Sequence, residues 1–189
     1  MYDTLEKVRA DLDARLEAAA GDRRSPMHTP VVATADADAR VMVLRGFDRL
    51  SWTLRFHADA RSPKVTAVED DPRIAVVAYD KAAGVQLRLR GRGRIERAGT
   101  AVDAAWAEST NFARRFSLGA GPGAASEGPT SGLPQQFEGA EPDDGELLPA
   151  RLNFALLLVK MEEADWFSLA HTGHRRALLT RDGGQWIAP

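Results

Sequence analysis

Between Thr29 and Ile95 the chain is a succession of short segments with strand patterning, each ended by turn residues before it could become a helix. Period-two alternation sends successive side chains to opposite faces, so an alternating segment reads as a strand with one face on a core. Thr29 to Asp36 is β-branched and short, and Ala37-Asp38 makes a tight connection into Arg40-Val41-Met42-Val43-Leu44-Arg45. Leu50 to His57 alternates again and is expected to pair with the Arg40 strand as a hairpin through Gly46-Phe47-Asp48-Arg49. Ile74 to Tyr79 is continuously apolar, the pattern of a strand buried on both faces. Val85 to Ile95 alternates long polar side chains with apolar or glycine positions. Such a series predicts a mainly β (α+β) chain, with about six antiparallel strands closed into a barrel and helices at its flanks.

The flanks are legible as well. Leu5, Val8, Leu12, Leu16 and Ala19 recur at helical spacing and predict one amphipathic helix within residues 1–21, stopped by Gly21. Thr100 to Phe116 reads as a second helix, with Val102, Ala105, Trp106, Phe112 and Phe116 as its buried positions. Residues 117–150 are rich in Gly, Pro, Ser and acidic residues, with no periodic element, and are expected to form a flexible insertion. Strands resume at Leu152 to Met161, Ala164 to Ala170, Arg175 to Thr180 and Gln185-Trp186-Ile187. At 189 residues the whole reads as a single domain.

Composition removes several classes of function. The chain has no cysteine, which excludes disulfides, thiolate metal sites and thiol catalysis. A net charge of -2 gives no electrostatic reason to expect a nucleic-acid partner. Arg88, Arg90, Arg92 and Arg94 form a period-two ladder, but no aromatic residues interleave with it, so it reads as the solvated or dimer-facing side of a strand. His171 and His174 lack the carboxylate support of a metal site, so no metal is expected. Gly119-Ala120-Gly121-Pro122-Gly123 has neither the preceding strand nor the following Gly-Lys-Ser/Thr of a phosphate loop. No apolar run approaches the roughly 18 residues of a membrane span, and the expected location is cytoplasmic.

The charged residues of the first half point instead to an anionic ligand. Ser62 suits an N-cap and Pro63 the first helical position, so Arg61-Ser62-Pro63-Lys64 predicts a short helix with its amides and a lysine at the N-terminus. Such an end favours phosphate. Gln86 can both donate and accept, as the edge of a heterocycle requires.

In this order of elements the chain resembles the FMN-binding split-barrel family typified by pyridoxamine 5'-phosphate oxidase. The resemblance covers roughly Thr29 to Gly91 and Asn153 to Pro189. It implies that Arg40, with Val41 beside it, binds the FMN phosphate, and that Arg45 stands where the family has a lysine near ring and substrate. Ser62-Pro63-Lys64 matches the family's serine, arginine, lysine triplet with one cation lost. Phe56-His57 matches an aromatic and a hydroxyl residue beside the flavin, and Gln86 a glutamine on its ring. Trp166 and Arg176 match a tryptophan and an arginine ten residues apart that contact FMN, here expected from the partner side of a homodimer with FMN at the interface. Of the residues that hold the vitamin substrate only His174 survives, so it is the candidate catalytic residue, while the segment Asn111 to Ser117 lacks the family's tyrosine. The implied function is an FMN-binding oxidoreductase that transfers hydride to or from a small molecule. The alternatives are a non-catalytic carrier of flavin, haem or pyridoxal phosphate, and pyridoxamine 5'-phosphate oxidation itself.

Overall fold

The alternating segments become nine strands in a computed structural model that describes residues 2–189. They are β1 (Val31–Thr34), β2 (Ala39–Val41), β3 (Leu44–Asp48), β4 (Thr53–Asp59), β5 (Arg73–Asp80), β6 (Val85–Glu96), β7 (Phe154–Ser168), β8 (Arg175–Thr180) and β9 (Gly183–Ile187). All pair antiparallel in one sheet of order β2-β1-β5-β6-β7-β4-β3, with a β8–β9 hairpin attached to β7. In a flat sheet the outer strands of a seven-strand path lie about 29 Å apart. Here β2 and β3 are joined by Met42 and Val43 alone, which span about 11 Å at most. The sheet therefore has to roll up until its two edges meet. Met42 N donates to Pro30 O (3.0 Å) and Leu44 N to His28 O (2.9 Å), so the seam is bonded as well as bridged.

This closure corrects the expected hairpin. Arg40 to Arg45 is not one strand paired with Leu50 to His57. Its first half pairs with β1, and only its second half pairs with β4. Met42 and Leu44 are both buried, because the chain steps through the interior as it changes edge. Arg45 is the extra residue of a β-bulge, since Leu44 faces Phe56 while Gly46 faces Arg55.

A second bulge divides the barrel from its hairpin. The two strands expected at Leu152 to Met161 and Ala164 to Ala170 form one, β7, with Glu162 as the odd residue between the Gly91–Met161 and Arg90–Glu163 pairs. Below the bulge β7 lies between β6 and β4, and above it between β6 and β8. A Cβ on Gly91 would come within 2.1 Å of Lys160 O, so this crossing requires glycine. The architecture is a split β-barrel with flanking helices, as the sequence predicts, with nine strands rather than about six because short edge strands carry the closure.

Helix α1 (Leu5–Gly21) buries Val8, Leu12, Leu16 and Ala19 against the same core as β3, β4 and β8. Burying each large side chain contributes about 1.5–3 kcal/mol. α2 (Pro63–Asp70) follows β4. The helix expected over Thr100 to Phe116 is broken into α3 (Thr100–Glu108) and α4 (Asn111–Arg114). Thr110 starts the second, its hydroxyl accepting from Ala113 N at 3.3 Å. The insertion holds a 3-10 turn at Gln135–Phe137 and α5 (Leu148–Arg151), but no strand. It is tied to the body at several points: Arg61 Nη1 donates to Gly119 O (2.9 Å), and buried Arg115 donates to Phe137 O and Ala140 O. Among the described residues no helix is long and apolar enough to cross a membrane.

Gly91→Ala is expected to destabilise the fold by about 3 kcal/mol in urea unfolding, because its new methyl meets backbone. Gly128→Ala, which adds a methyl in open space, serves as the unchanged control.

Candidate functional site

A cavity of about 520 Å³, within the range of small-molecule sites, lies where β2, β4, the start of α2 and α4 converge. β2 supplies Arg40 and Val41, the β3 bulge supplies Arg45, β4 supplies His57 and α2 supplies Lys64. Bulges redirect a side chain out of the regular pleat, which accounts for a charged residue reaching this interior edge. The opposite wall comes from Phe112, Ala113 and Phe116, with Pro122 from the insertion and Phe154 from β7.

The first end is cationic. Arg40 donates to Thr34 Oγ1 (3.0 Å) and pairs with Asp38. Lys64 Nζ donates to Ser62 Oγ at 3.0 Å, and among the described residues it has no carboxylate partner. Burial, and then the charge of Arg40, lower the pKa of Lys64. Asp59 offsets this in part, but its carboxylate is already bonded to Arg61 at 2.6 and 2.9 Å. The Ser62 hydroxyl does not cap α2; it donates to Asp59 O (2.7 Å) and is buried. Pro63 faces a shallow outer groove with Arg61 and Thr66 rather than the cavity.

His57 sits between the two ends. Its Nε2 is buried without a hydrogen-bond partner, and its ring packs edge-on to Phe154 at 4.9 Å. Burial, with help from the charges of Arg45 and Arg55, lowers its pKa to about 4. The cavity is therefore lined by a neutral imidazole at neutral pH, with its unsatisfied Nε2 sealed inside the protein.

The remaining residues expected at the site lie elsewhere in the protomer. Phe56 points into the core and is fully buried. Trp166 is fully buried beneath α1, its indole donating to Asp11 Oδ2 (2.8 Å) and its ring edge-on to Tyr2. Arg176 bonds Asp165 at 2.9 and 2.7 Å, and Arg88 Nε reaches the same carboxylate at 3.1 Å. Burial opposes ionisation of Asp165, but these two arginines hold its pKa below the ordinary value. Tyr79, Gln86, Phe167 and Arg176 form one row across the outer face of the sheet. His174 lies in the exposed β7–β8 loop, where its Nδ1 accepts from Ala170 N (3.2 Å), away from the cavity.

Phe112 and Phe116 were expected to be buried, yet they are 47% and 57% exposed and line the cavity. The signal in the sequence was the Gly/Pro-rich run directly after them, which ends the helix and turns the chain back toward α2. Three of the four arginines of the ladder form ion pairs: Arg88 with Asp165, Arg90 with Glu163 and Arg94 with Glu96.

Comparison with known proteins agrees with this architecture. Residues 9–97 match the family described as pyridoxamine 5'-phosphate oxidase, FMN-binding domain. A pyridoxamine 5'-phosphate oxidase-related, FMN binding protein of Nostoc punctiforme superposes with a TM-score of 0.76 at 23% identity, covering 98% of this chain and 100% of its own. PhzG of Burkholderia lata, solved in complex with tetrahydrophenazine-1-carboxylic acid, gives 0.63 at 14% identity over 98% and 90%. A protein of Clostridium acetobutylicum related to general stress protein 26 gives 0.56 at 13% identity over 95% and 98%. No curated protein matches the sequence. The resemblance read from the strand motifs thus holds, and the fold is the FMN-binding split barrel.

The position of His57 makes stability depend on pH. In the unfolded chain its imidazole returns to about 6.5, so between pH 6.5 and 4 the unfolded state binds the extra proton and the folded state loses stability as pH falls. Urea unfolding of His57→Leu at a series of pH values is expected to show a shallower slope across that window than the parent.

Proposed function

We propose that this pyridoxamine 5'-phosphate oxidase-like split barrel binds FMN in the cavity and acts as a flavin-dependent oxidoreductase on a small molecule. The observation that carries the reading is the convergence of Arg40 and Lys64 at one end of a cavity walled elsewhere by apolar groups. Two partly buried cations repel one another, and Lys64 forms no ion pair among the described residues, its nearby carboxylates Asp59 and Asp38 being paired with Arg61 and Arg40. A phosphate monoester supplies that charge, with short charge-assisted hydrogen bonds to both and the α2 amides beside them. His57 lines the cavity as a neutral ring, Arg45 adds positive potential, and the Val41 and Phe154 side chains supply apolar contact. FMN supplies the hydride chemistry, and the protein supplies binding, orientation and electrostatics.

The outer face supports a homodimer built around two such cavities. The outward side chains of β1, β2 and β5 include Val31, Val41, Val77 and Tyr79, all exposed in the single chain, with Val41 at 65%. Val41, Val31 and Val77 lie in register as one row. Val41 also lines the cavity, so the apolar face and the cavity share a border. A second copy seated there brings the row of Gln86 and Arg176 toward its neighbour's site. Trp166, sealed under α1, then acts as scaffold.

A second reading, a carrier that holds flavin without turnover, is favoured by the position of His174 outside the cavity. Adding NAD(P)H to flavin-loaded protein separates the two, since bleaching of the visible flavin band is expected only of a reductase.

Arg40→Ala is expected to weaken FMN binding by about 1.5–3 kcal/mol, roughly 10- to 150-fold, with an unchanged circular dichroism spectrum. An unaltered FMN titration would count against the phosphate role. Val41→Asp combined with Val77→Asp is expected to convert a dimer to a monomer in sedimentation and to weaken FMN binding with it.

A further inference from the structure

We infer that Phe112 and Phe116 form the substrate wall of the cavity, and that this wall selects a planar aromatic molecule without a phosphate group. The inference rests on the flavin reading, in which Arg40 and Lys64 are occupied by the cofactor phosphate.

The two phenylalanines are four residues apart at the α4 end of the cavity, and both rings are open to it. Loose aromatic side chains on a surface would carry little meaning, but these are braced. The Arg115 guanidinium lies 3.6 Å from the Phe112 ring centre and 5.2 Å from that of Phe116. Arg115 does not line the cavity, so it supports the rings from the side away from it. It is itself buried, and carbonyls of the insertion at Phe137 (3.0 Å) and Ala140 (2.8 Å) hold it. A cation over an aromatic face fixes ring orientation as well as adding attraction.

The same geometry removes the charge that a phosphorylated substrate would need. Among the described residues Arg114 is the one cation of this wall in the cavity lining, and it is largely committed: Nε donates to Trp106 O (2.8 Å), Nη2 to Ala107 O (2.9 Å) and Nη1 to Asn111 Oδ1 (2.9 Å), with Asp144 paired to Nη1 at 3.4 Å. It also stacks on the Trp106 ring at 5.1 Å. The residue between the phenylalanines on the cavity side is Ala113, and of the two hydroxyls on this wall Ser109 already donates to Ala105 O (2.8 Å), which leaves Ser117. A second phosphate dianion there would be desolvated against aromatic carbon, with only the single charge of Arg45 elsewhere in the lining to answer it, a match for a carboxylate rather than for a dianion. A flat conjugated ring is instead accepted by two braced aromatic faces, with a hydroxyl to meet a carboxylate or carbonyl at its rim.

The test uses full-length protein and begins with an FMN titration, which reports on the flavin reading alone. Calorimetry then compares 2-naphthoate with 2-naphthyl phosphate, which share the ring system and differ in the anionic group. On flavin-loaded protein 2-naphthoate is expected to bind about tenfold more tightly, and Phe112→Ala combined with Phe116→Ala to weaken it about tenfold with FMN affinity unchanged. Phe112→Leu, which keeps volume but not the aromatic face, is expected to show part of the loss. FMN binding accompanied by equal or tighter binding of the phosphate ester, or by variants that bind 2-naphthoate like the parent, overturns this inference and leaves the flavin reading standing. Failure to bind FMN overturns both.

Discussion

The link of two residues between β2 and β3 is the constraint on which the rest depends. Because Met42 and Val43 join strands at opposite ends of the sheet path, the sheet has only one way to satisfy its edges, which is to curl until they touch. Closure removes open edges that would otherwise template aggregation. It also places Arg40, the last turn of the curl, beside the N-terminus of α2, which follows β4 from the other side of the seam. The cationic end of the cavity is thus a product of barrel closure: residues 40 and 64 line one cavity because the two ends of the sheet path, β2 and β3, are brought together.

The sequence made the strands legible because their period-two patterning reflects a local physical fact, one face in and one face out. It made Arg40, Val41, Arg45, His57 and Lys64 legible as a group because they fall within one short stretch of chain, and the structure does bring them to one cavity. Pairing was a different matter. Nothing local shows that a six-residue alternating segment divides between two partners, or that two apparent strands are one strand with a bulge. Both depend on long-range register, which only the closed sheet determines.

The second half of the expected site was harder for a related reason. Trp166 and Arg176 have the spacing of flavin contacts, yet within the protomer the indole anchors α1 through Asp11 and the guanidinium is held by Asp165. Spacing reports that two side chains lie on the same part of a hairpin, and it is silent on which of several neighbours they satisfy. Phe112 and Phe116 erred in the opposite direction. Apolar residues at helical spacing are ordinarily core, and their exposure here follows from the break at Thr110, which turns α4 toward the cavity.

The bulge at Arg45 has a consequence for how such a pocket can vary between related chains. Leu44 pairs with Phe56 and Gly46 with Arg55, so Arg45 contributes no rung to the ladder. Its side chain is a supernumerary position, free to be exchanged without disturbing the pairs on either side. The barrel and the chemistry at its mouth are in this respect inherited separately: the scaffold is written in the paired residues, and the tuning of the pocket in the odd one.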